Sequence, residues 1–232
     1  MLNKYGSFIK ELRLRKNYSQ EEVAEAIKIS RPTYIAIEKG TKHLTLEEAK
    51  NLTKFFDITL DELLRGGSLG EQKFEEMIFA FLRKARESGK EVKKTKLAKL
   101  LYFADFAKYY FKGESLSNLS YRKIEFGPVP DEYFRILQEL EDESLIQVKP
   151  IAHEDGGYMY EISDTPISAK KNLSLLDKHD DKLIDEIWEK WQDANTNDIV
   201  NYTHHQSPYM ETEFNHIIPY DLIKNESKET VF

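Results

Sequence analysis

Arg31 is the first residue in this sequence with a specific chemical reading. It stands in the stretch ISRPTYIAIEKG, residues 29–40, where Ser30 can cap a helix, Pro32 falls in its first turn and Gly40 ends it. A guanidinium at the exposed start of a short helix can bond both acceptors of a guanine edge, a contact worth about 1–3 kcal/mol of discrimination. Tyr34 and Ile37, three apart, turn one face inward and leave Arg31, Thr33, Ile35 and Ala36 for solvent or a partner. Thr33 suits a thymine methyl or a phosphate, and Lys39, Lys42 and His43, just past the helix, suit the phosphate backbone. The plainer reading of each is a solvated surface group.

Catalytic and metal chemistry find less support. Asp105 lies inside an apolar helical stretch, where a carboxylate is either functional with a raised pKa or held by a structural hydrogen bond or a lysine; the structural reading is favoured. His204 and His205 are adjacent and point in different directions on a helix. A zinc site would therefore need His153, His179 or His216 brought in from elsewhere. The sequence has no cysteine, so disulfides, thiolate zinc sites and cysteine nucleophiles are excluded. Phosphate-cradling glycine motifs and G-x-S-x-G are absent as well. The expectation is a binding protein with no cofactor and no metal, not an enzyme.

The elements that would position these groups fall into two domains. The chain has 232 residues, 40% hydrophobic and 32% charged, which fits a globular protein of two modest domains. It shows no membrane-length apolar run and no signal-peptide core, which places it in the cytoplasm. The net charge of −7 is unevenly spread. Residues 1–43 hold 9 basic and 5 acidic side chains, a modest footprint for phosphate, whereas residues 113–232 hold 11 and 25, a net of −14.

Three capping boxes, at Ser19, Thr45 and Thr59, each with glutamate three residues on, divide residues 5–64 into five short helices around a small core. Lys28 falls where the turn before the Arg31 helix usually has a left-handed glycine, at a cost of about 1 kcal/mol.

The glycine-rich stretch 66–73 reads as a linker between a domain at 1–65 and one at 74–215, with a frayed tail at 216–232. In the second domain Phe74, Met77, Ile78, Phe81 and Leu82 form one stripe. The next helix, up to Gly113, is apolar around most of its circumference and so is its buried centre. A Gly-Pro turn follows, then a helix from about Asp131 with Tyr133, Phe134 and Leu137 inward, a hairpin turning at residues 154–157, and a helix with Trp188 and Trp191. The fold class is mainly α: a five-helix domain plus a helical domain with a small β-hairpin, α+β overall. Helix then hairpin is also the outline of a winged helix, but the surrounding −14 charge argues against a second DNA contact.

Residues 18–64, with Ser19-Gln20, Val23-Ala24, Ser30-Arg31, the run Ile37-Glu38-Lys39-Gly40 and the run Leu60-Asp61-Glu62-Leu63-Leu64, resemble the helix-turn-helix of the XRE family, the phage-repressor and Cro-like DNA-binding domains. That resemblance implies that Gln20 meets a phosphate, that the helix from Arg31 enters the major groove, and that Arg13 and Glu38 form a buried ion pair. Pro32 stands where family members often have a side chain that reaches a base, so the readable surface is small, and a homodimer would double it across two half-sites of double-stranded operator DNA.

KLAKLLYFADFAKYYFKGESL, FGPVPDEYFRIL and NYTHHQSPY resemble the three landmark blocks of the Panacea domain, the SocA-like antitoxin family, with Tyr209 where the family often has tryptophan. The resemblance implies an antitoxin and autorepressor that binds a toxin encoded nearby. The acidic half would attract a basic toxin, and Tyr109, Tyr110, Tyr121, Tyr133 and Tyr209 are candidate toxin anchors. The alternative for each is to cap the core with its hydroxyl in water. A runner-up reading is a transcriptional regulator of phage or host whose second domain senses a ligand or oligomerises.

Overall fold

The structure, a computed structural model, describes residues 4–65, 69–152 and 156–232. It divides into two compact units, Met1–Leu69 and Gly70–Phe232. Residues 66–68 of the expected linker, and Glu154 and Asp155 of the expected hairpin turn, lie outside the described residues.

The first unit contains α1 (Lys4–Arg15), α2 (Gln20–Ala26), α3 (Arg31–Glu38), α4 (Leu46–Phe56) and α5 (Leu60–Arg65). Local chemistry sets their starts. Ser19 and Thr45 make complete capping boxes with Glu22 and Glu48. Thr59 and Glu62 exchange the same pair of bonds before α5. Lys28 adopts a left-handed φ of 61° between α2 and α3, so the turn is the family's usual one, with lysine bearing the strain glycine would avoid. Val23, Ala24, Ile27, Tyr34, Ile37, Leu52 and Phe56 close the core.

The second unit runs α6 (Leu69–Glu87), β1 (Val92–Lys93), α7 (Lys94–Lys112), β2 (Tyr121–Ile124), β3 (Gly127–Pro130), α8 (Tyr133–Asp142), β4 (Ile146–Ala152) and β5 (Tyr158–Asp164). It continues with a 3-10 turn (Ser168–Lys170), α9 (Lys178–Trp191), α10 (Thr196–His204), α11 (Ser207–Met210) and a second 3-10 turn (Tyr220–Asn225). The central α7 is buried from Lys96 to Ala107, as its all-round apolar pattern predicts. Gly113 ends it at φ 77°. Around it pack α6, α9 and α10, with Trp191 stacked on Phe103. One antiparallel sheet has the order β1-β5-β4, and a separate β2-β3 ribbon lies against α7. From α6 to β5 the order is helix, short strand, helix, two-stranded ribbon, helix, hairpin, which is the helix-then-hairpin outline of a winged helix with the β2–β3 ribbon inserted between α7 and α8.

Four expectations are corrected. The segment after Leu64 is not linker throughout, because α6 already begins at Leu69; Glu71 is buried and its carboxylate is bonded by Arg135 of α8 at 2.7 Å. Gly127-Pro128 starts a strand and is not itself the turn. That strand tolerates two prolines because it pairs with β2 alone. Phe134 is exposed while Tyr133 is buried. The tail is packed: Ile218, Ile223 and Val231 are buried, Ile218 N–H donates to the Tyr121 carbonyl at 2.7 Å, and Gln206 Nε2 donates to the carbonyls of Thr230 and Val231. Composition hides this anchoring because it is made by backbone groups. Among the described residues no helix is long and apolar enough to cross a membrane.

Candidate DNA interface and motif core

In the first unit the buried and exposed faces of α3 have different tasks. Glu38 lies inside, where Arg13 Nε of α1 donates to Oε1 at 2.6 Å and Nη2 to Oε2 at 3.3 Å. Arg13 Nη1 also donates to the Tyr18 carbonyl. Burial pushes the Glu38 carboxyl up, but the bonds from Arg13 and Gln20 outweigh it and hold the pKa below its ordinary value. Gln20 Nε2 donates one N–H to Glu38 Oε2 at 2.9 Å and keeps a second N–H for another acceptor. The network ties the last turn of α1, the start of α2 and the end of α3 into one rigid frame.

Outside, Arg31 occupies the first turn of α3 with 53% of its side chain exposed and only a loose ion pair to Glu21 at 3.6 Å. Such a pair adds little and yields easily to a competing base. Thr33 shares a hydrogen bond with the capping Ser30, Oγ to Oγ1 2.8 Å, and Ala36 is half-buried on the same exposed side. Lys39 is exposed just past the helix end. Lys42 is otherwise engaged: its Nζ bonds both oxygens of Glu48 at 2.7 and 2.8 Å, which braces the capping box of α4. His43 is exposed beside the Tyr5 hydroxyl. Glu21, the carboxylate that competes for Arg31, carries no signal in the sequence.

In the second unit the three sequence blocks meet at one buried lysine. Lys99 of α7 is 1% exposed, and its Nζ donates to the Pro128 carbonyl of β3 at 2.9 Å. Burial lowers its pKa to about 7. Gly127 sits against it at φ 94°; a Cβ there would lie 2.6 Å from Lys99 Cε and 3.0 Å from Thr203 Oγ1 of α10. This glycine is required both for space and for its backbone conformation. His204 stacks on Tyr209, ring centres 4.2 Å apart, and the Tyr209 hydroxyl donates to the Ile124 carbonyl of β2. Lys123 Nζ lies over the other ring contact, 4.4 Å from the Tyr209 centre. Burial first, then the charges of Lys99, His205 and Lys123, lowers the His204 pKa. Sequence reading passed over Lys99 and took Gly127 only as part of a turn; a lysine in the otherwise apolar run of α7 was the available signal.

Asp105 is structural. It accepts from Ser117 N–H at 2.7 Å, Ser117 Oγ at 2.5 Å and Tyr121 OH at 2.8 Å, stapling the loop before β2 to α7. Burial raises its pKa to about 6, and the bonds from Ser117 and Tyr121 limit the rise.

Two candidate anchors are thereby corrected. Tyr121 and Tyr133 are core residues, and Tyr133 OH donates to the Lys94 carbonyl at 2.6 Å, so neither presents its ring to a partner. Tyr109 is half-buried, its hydroxyl donating to Asp221 at 2.8 Å. Tyr110 is half-buried against Phe111, and Tyr209 is half-buried in its stack. The more exposed large apolar side chains include Phe126, Tyr158 and Met210, which were not singled out by sequence, and Phe134, which was read as inward.

Comparison with known proteins follows the same division. Residues 9–63 match the helix-turn-helix family and residues 97–209 the family of the antitoxin SocA-like Panacea domain. The cryptic phage CTXphi transcriptional repressor RstR of Vibrio cholerae is 40% identical over 60 residues, 26% of this chain and 54% of the repressor. The HTH-type transcriptional activator BcrR of Enterococcus faecalis is 37% identical over 65 residues, 28% of this chain and 32% of its own. The HTH-type transcriptional regulator YgzD of Bacillus subtilis is 38% identical over 55 residues, 24% of this chain and 83% of its own. The chain thus spans about half or less of the length of the first two relatives. No solved structure matches it. With a capped α2–α3 pair closed over the Arg13–Glu38 bridge, and three blocks converging on Lys99, the chain belongs to the XRE-type helix-turn-helix DNA-binding regulators and carries a SocA-like Panacea antitoxin domain behind that module.

Proposed function

We propose that this protein is an antitoxin and autorepressor: residues 1–65 bind the operator of its own promoter, and residues 74–215 bind and neutralise a protein toxin encoded nearby. The observation that carries this reading is the match over residues 97–209 together with the convergence of its motif residues Lys99, Gly127 and Thr203 in one packed centre. A domain whose motif residues are spent on packing suits an inhibitor, which needs a rigid surface and a complementary field, not a reactive group. The net −14 over residues 113–232 supplies such a field for a basic toxin.

At the operator, Arg31 reads a guanine from the start of α3, Thr33 and Ala36 line the same approach, and Lys39 holds the phosphate backbone. Gln20 meets a phosphate with the amide N–H that Glu38 does not take, and Lys42 acts mainly by bracing α4. A homodimer doubles this small reading surface across two half-sites.

The test is growth of cells that express the neighbouring reading frame from an inducible promoter, with and without this chain. Arrest that the chain rescues supports the antitoxin reading. No arrest, with the neighbour verifiably expressed, transfers the function to transcriptional regulation with a second domain that senses a ligand or oligomerises.

A further inference from the structure

Strand β5 is longer than the strand that covers its outer edge. β1 pairs only with Ile162 and Glu161, and the chain then turns into α7 at Lys94. Among the described residues no strand lies beside Tyr158, Met159 and Tyr160 on that side.

Which peptide groups face the open edge follows from Pro150. It stands opposite Tyr160 in the β4–β5 ladder and has no N–H to give. Proline fits an antiparallel pair at a position where its nitrogen turns away from the neighbouring strand, the non-hydrogen-bonded site. Tyr160 therefore turns its own N–H and C=O away from β4. The period of two gives the same direction to Ile162 and Tyr158. Val92 of β1 stands opposite Ile162 and Lys93 opposite Glu161; closing that second pair sets the Tyr160 carbonyl toward the Lys94 N–H, which leaves both groups of Tyr158 and the N–H of Tyr160 without a strand to take them.

Beside this edge lies a groove of about 500 Å³ whose lining includes Lys93, Phe126, Met159, Asn197, Asp198 and Val200. Phe126 is 60% exposed at the tip of the β2–β3 ribbon, and Tyr158 is 70% exposed. Met159 points to the groove face and its neighbours Tyr158 and Tyr160 to the other, so a strand laid along the edge would drop alternate side chains into the groove.

A helix, whose backbone bonds are satisfied internally, cannot use the open peptide groups; an extended segment can. A second copy of this chain would bring the same acidic unit, residues 70–232 with 22 basic and 31 acidic side chains, against itself. Charge complementarity therefore favours a basic partner.

Resting on the antitoxin reading above, we propose that the toxin docks by an extended segment that adds a strand to β5 beyond β1, places an apolar side chain in the groove against Phe126, Met159 and Val200, and carries basic residues around it.

The experiment uses the full chain, alone and in complex with the purified product of the neighbouring reading frame. Hydrogen exchange of the Tyr158 and Tyr160 amides is expected to be fast in the free chain and slowed about tenfold or more in the complex. Tyr160→Pro removes one edge N–H and is expected to weaken binding about tenfold, while Tyr160→Thr, which keeps it, binds within about twofold of the parent. Protection of the Met159 and Glu161 amides, which face β4, checks that the hairpin of Tyr160→Pro is intact. Should that hairpin open, Met159→Arg, which sets a cation in the groove against a basic segment, gives the same reading by weakened binding.

Tight binding with both edge amides still exchanging fast overturns the edge proposal and leaves the antitoxin reading standing. Absence of any binding by the parent chain overturns both. Protection that develops in the chain alone as its concentration rises assigns the edge to a second copy and also overturns the proposal.

Discussion

The helix-turn-helix core and the centre of the second unit around α7 treat buried charge in opposite ways. In the helix-turn-helix unit the buried Arg13 and Glu38 neutralise one another, with Gln20 completing the carboxylate. At that centre Lys99 and Asp105 are just as deep, but they bond to neutral groups: a carbonyl for Lys99, and a serine and a tyrosine for Asp105. A paired charge leaves protonation unchanged near neutral pH, whereas a charge held by neutral partners shifts its pKa toward neutrality, as both groups do. The motif of the first unit is therefore divided between frame and reading surface, and the motif of the second is nearly all frame.

The sharpest way to break this contrast is to unpair the first unit. Glu38→Ala leaves the Arg13 guanidinium buried without its partner and is expected to cost about 3–5 kcal/mol. Thermal melts should show the first unit unfolding early and operator binding lost, with binding of the toxin kept; a melt within about 1 kcal/mol of the parent would mean that the pair is not what holds α1 to α3. Gly127→Ala attacks the second frame. Its Cβ meets Lys99 and Thr203, at a φ that side chains rarely adopt, and the expected loss is about 3 kcal/mol. Here neutralisation should fail while operator affinity is unchanged. Arg31→Ala touches neither frame and should cost about 1–3 kcal/mol of operator binding in a titration at fixed salt, with the melt unmoved. Equal affinity of variant and parent would remove Arg31 from the reading surface.

How much the sequence discloses differs between the units for the same reason. Caps are local: Ser19 and Glu22, or Thr45 and Glu48, are three residues apart, so the helices of the first unit can be read directly and the structure has their starts where the boxes lie. In the second unit the deciding contacts are distant. Lys99 meets a carbonyl 29 residues on, Gln206 holds the tail by two carbonyls, and neither leaves a periodic trace. Apolar pattern did identify α7 as the centre, yet it misplaced Phe134, because one face of α8 at its first turn differs from the next by a single residue. It also nominated tyrosines by composition, and two of the five proved to be core. Surface roles cannot be read from residue type alone when an aromatic ring fits both inside and outside.

The smallest effect expected is also the one that isolates the difference. Lys99 has a folded pKa of about 7 against an ordinary value of 10.5, so between those values the unfolded chain binds more protons than the folded one. Stability of the second unit should therefore rise with pH above about 7, by at most about 1.4 kcal/mol per unit, and be lost again as pH falls through 7. His204, lowered from 6.5, adds a rise in the same direction just below neutrality. Asp105 acts oppositely and earlier: raised from 3.8 to about 6, it takes stability away as pH climbs through that interval. The second unit should accordingly pass through a shallow minimum near pH 6–7 that the paired first unit lacks. Melts from pH 7 to pH 9 avoid the buried tyrosines, whose raised pKa values lie beyond that range. Over that window the parent should gain stability and Lys99→Met should gain less, keeping only the smaller rise from Lys94, Lys96 and Lys190, whose pKa values burial also lowers. A variant that keeps the parent's slope would show that Lys99 is neutral, or already compensated, at pH 7, and that the contrast between the two frames lies in geometry and not in charge.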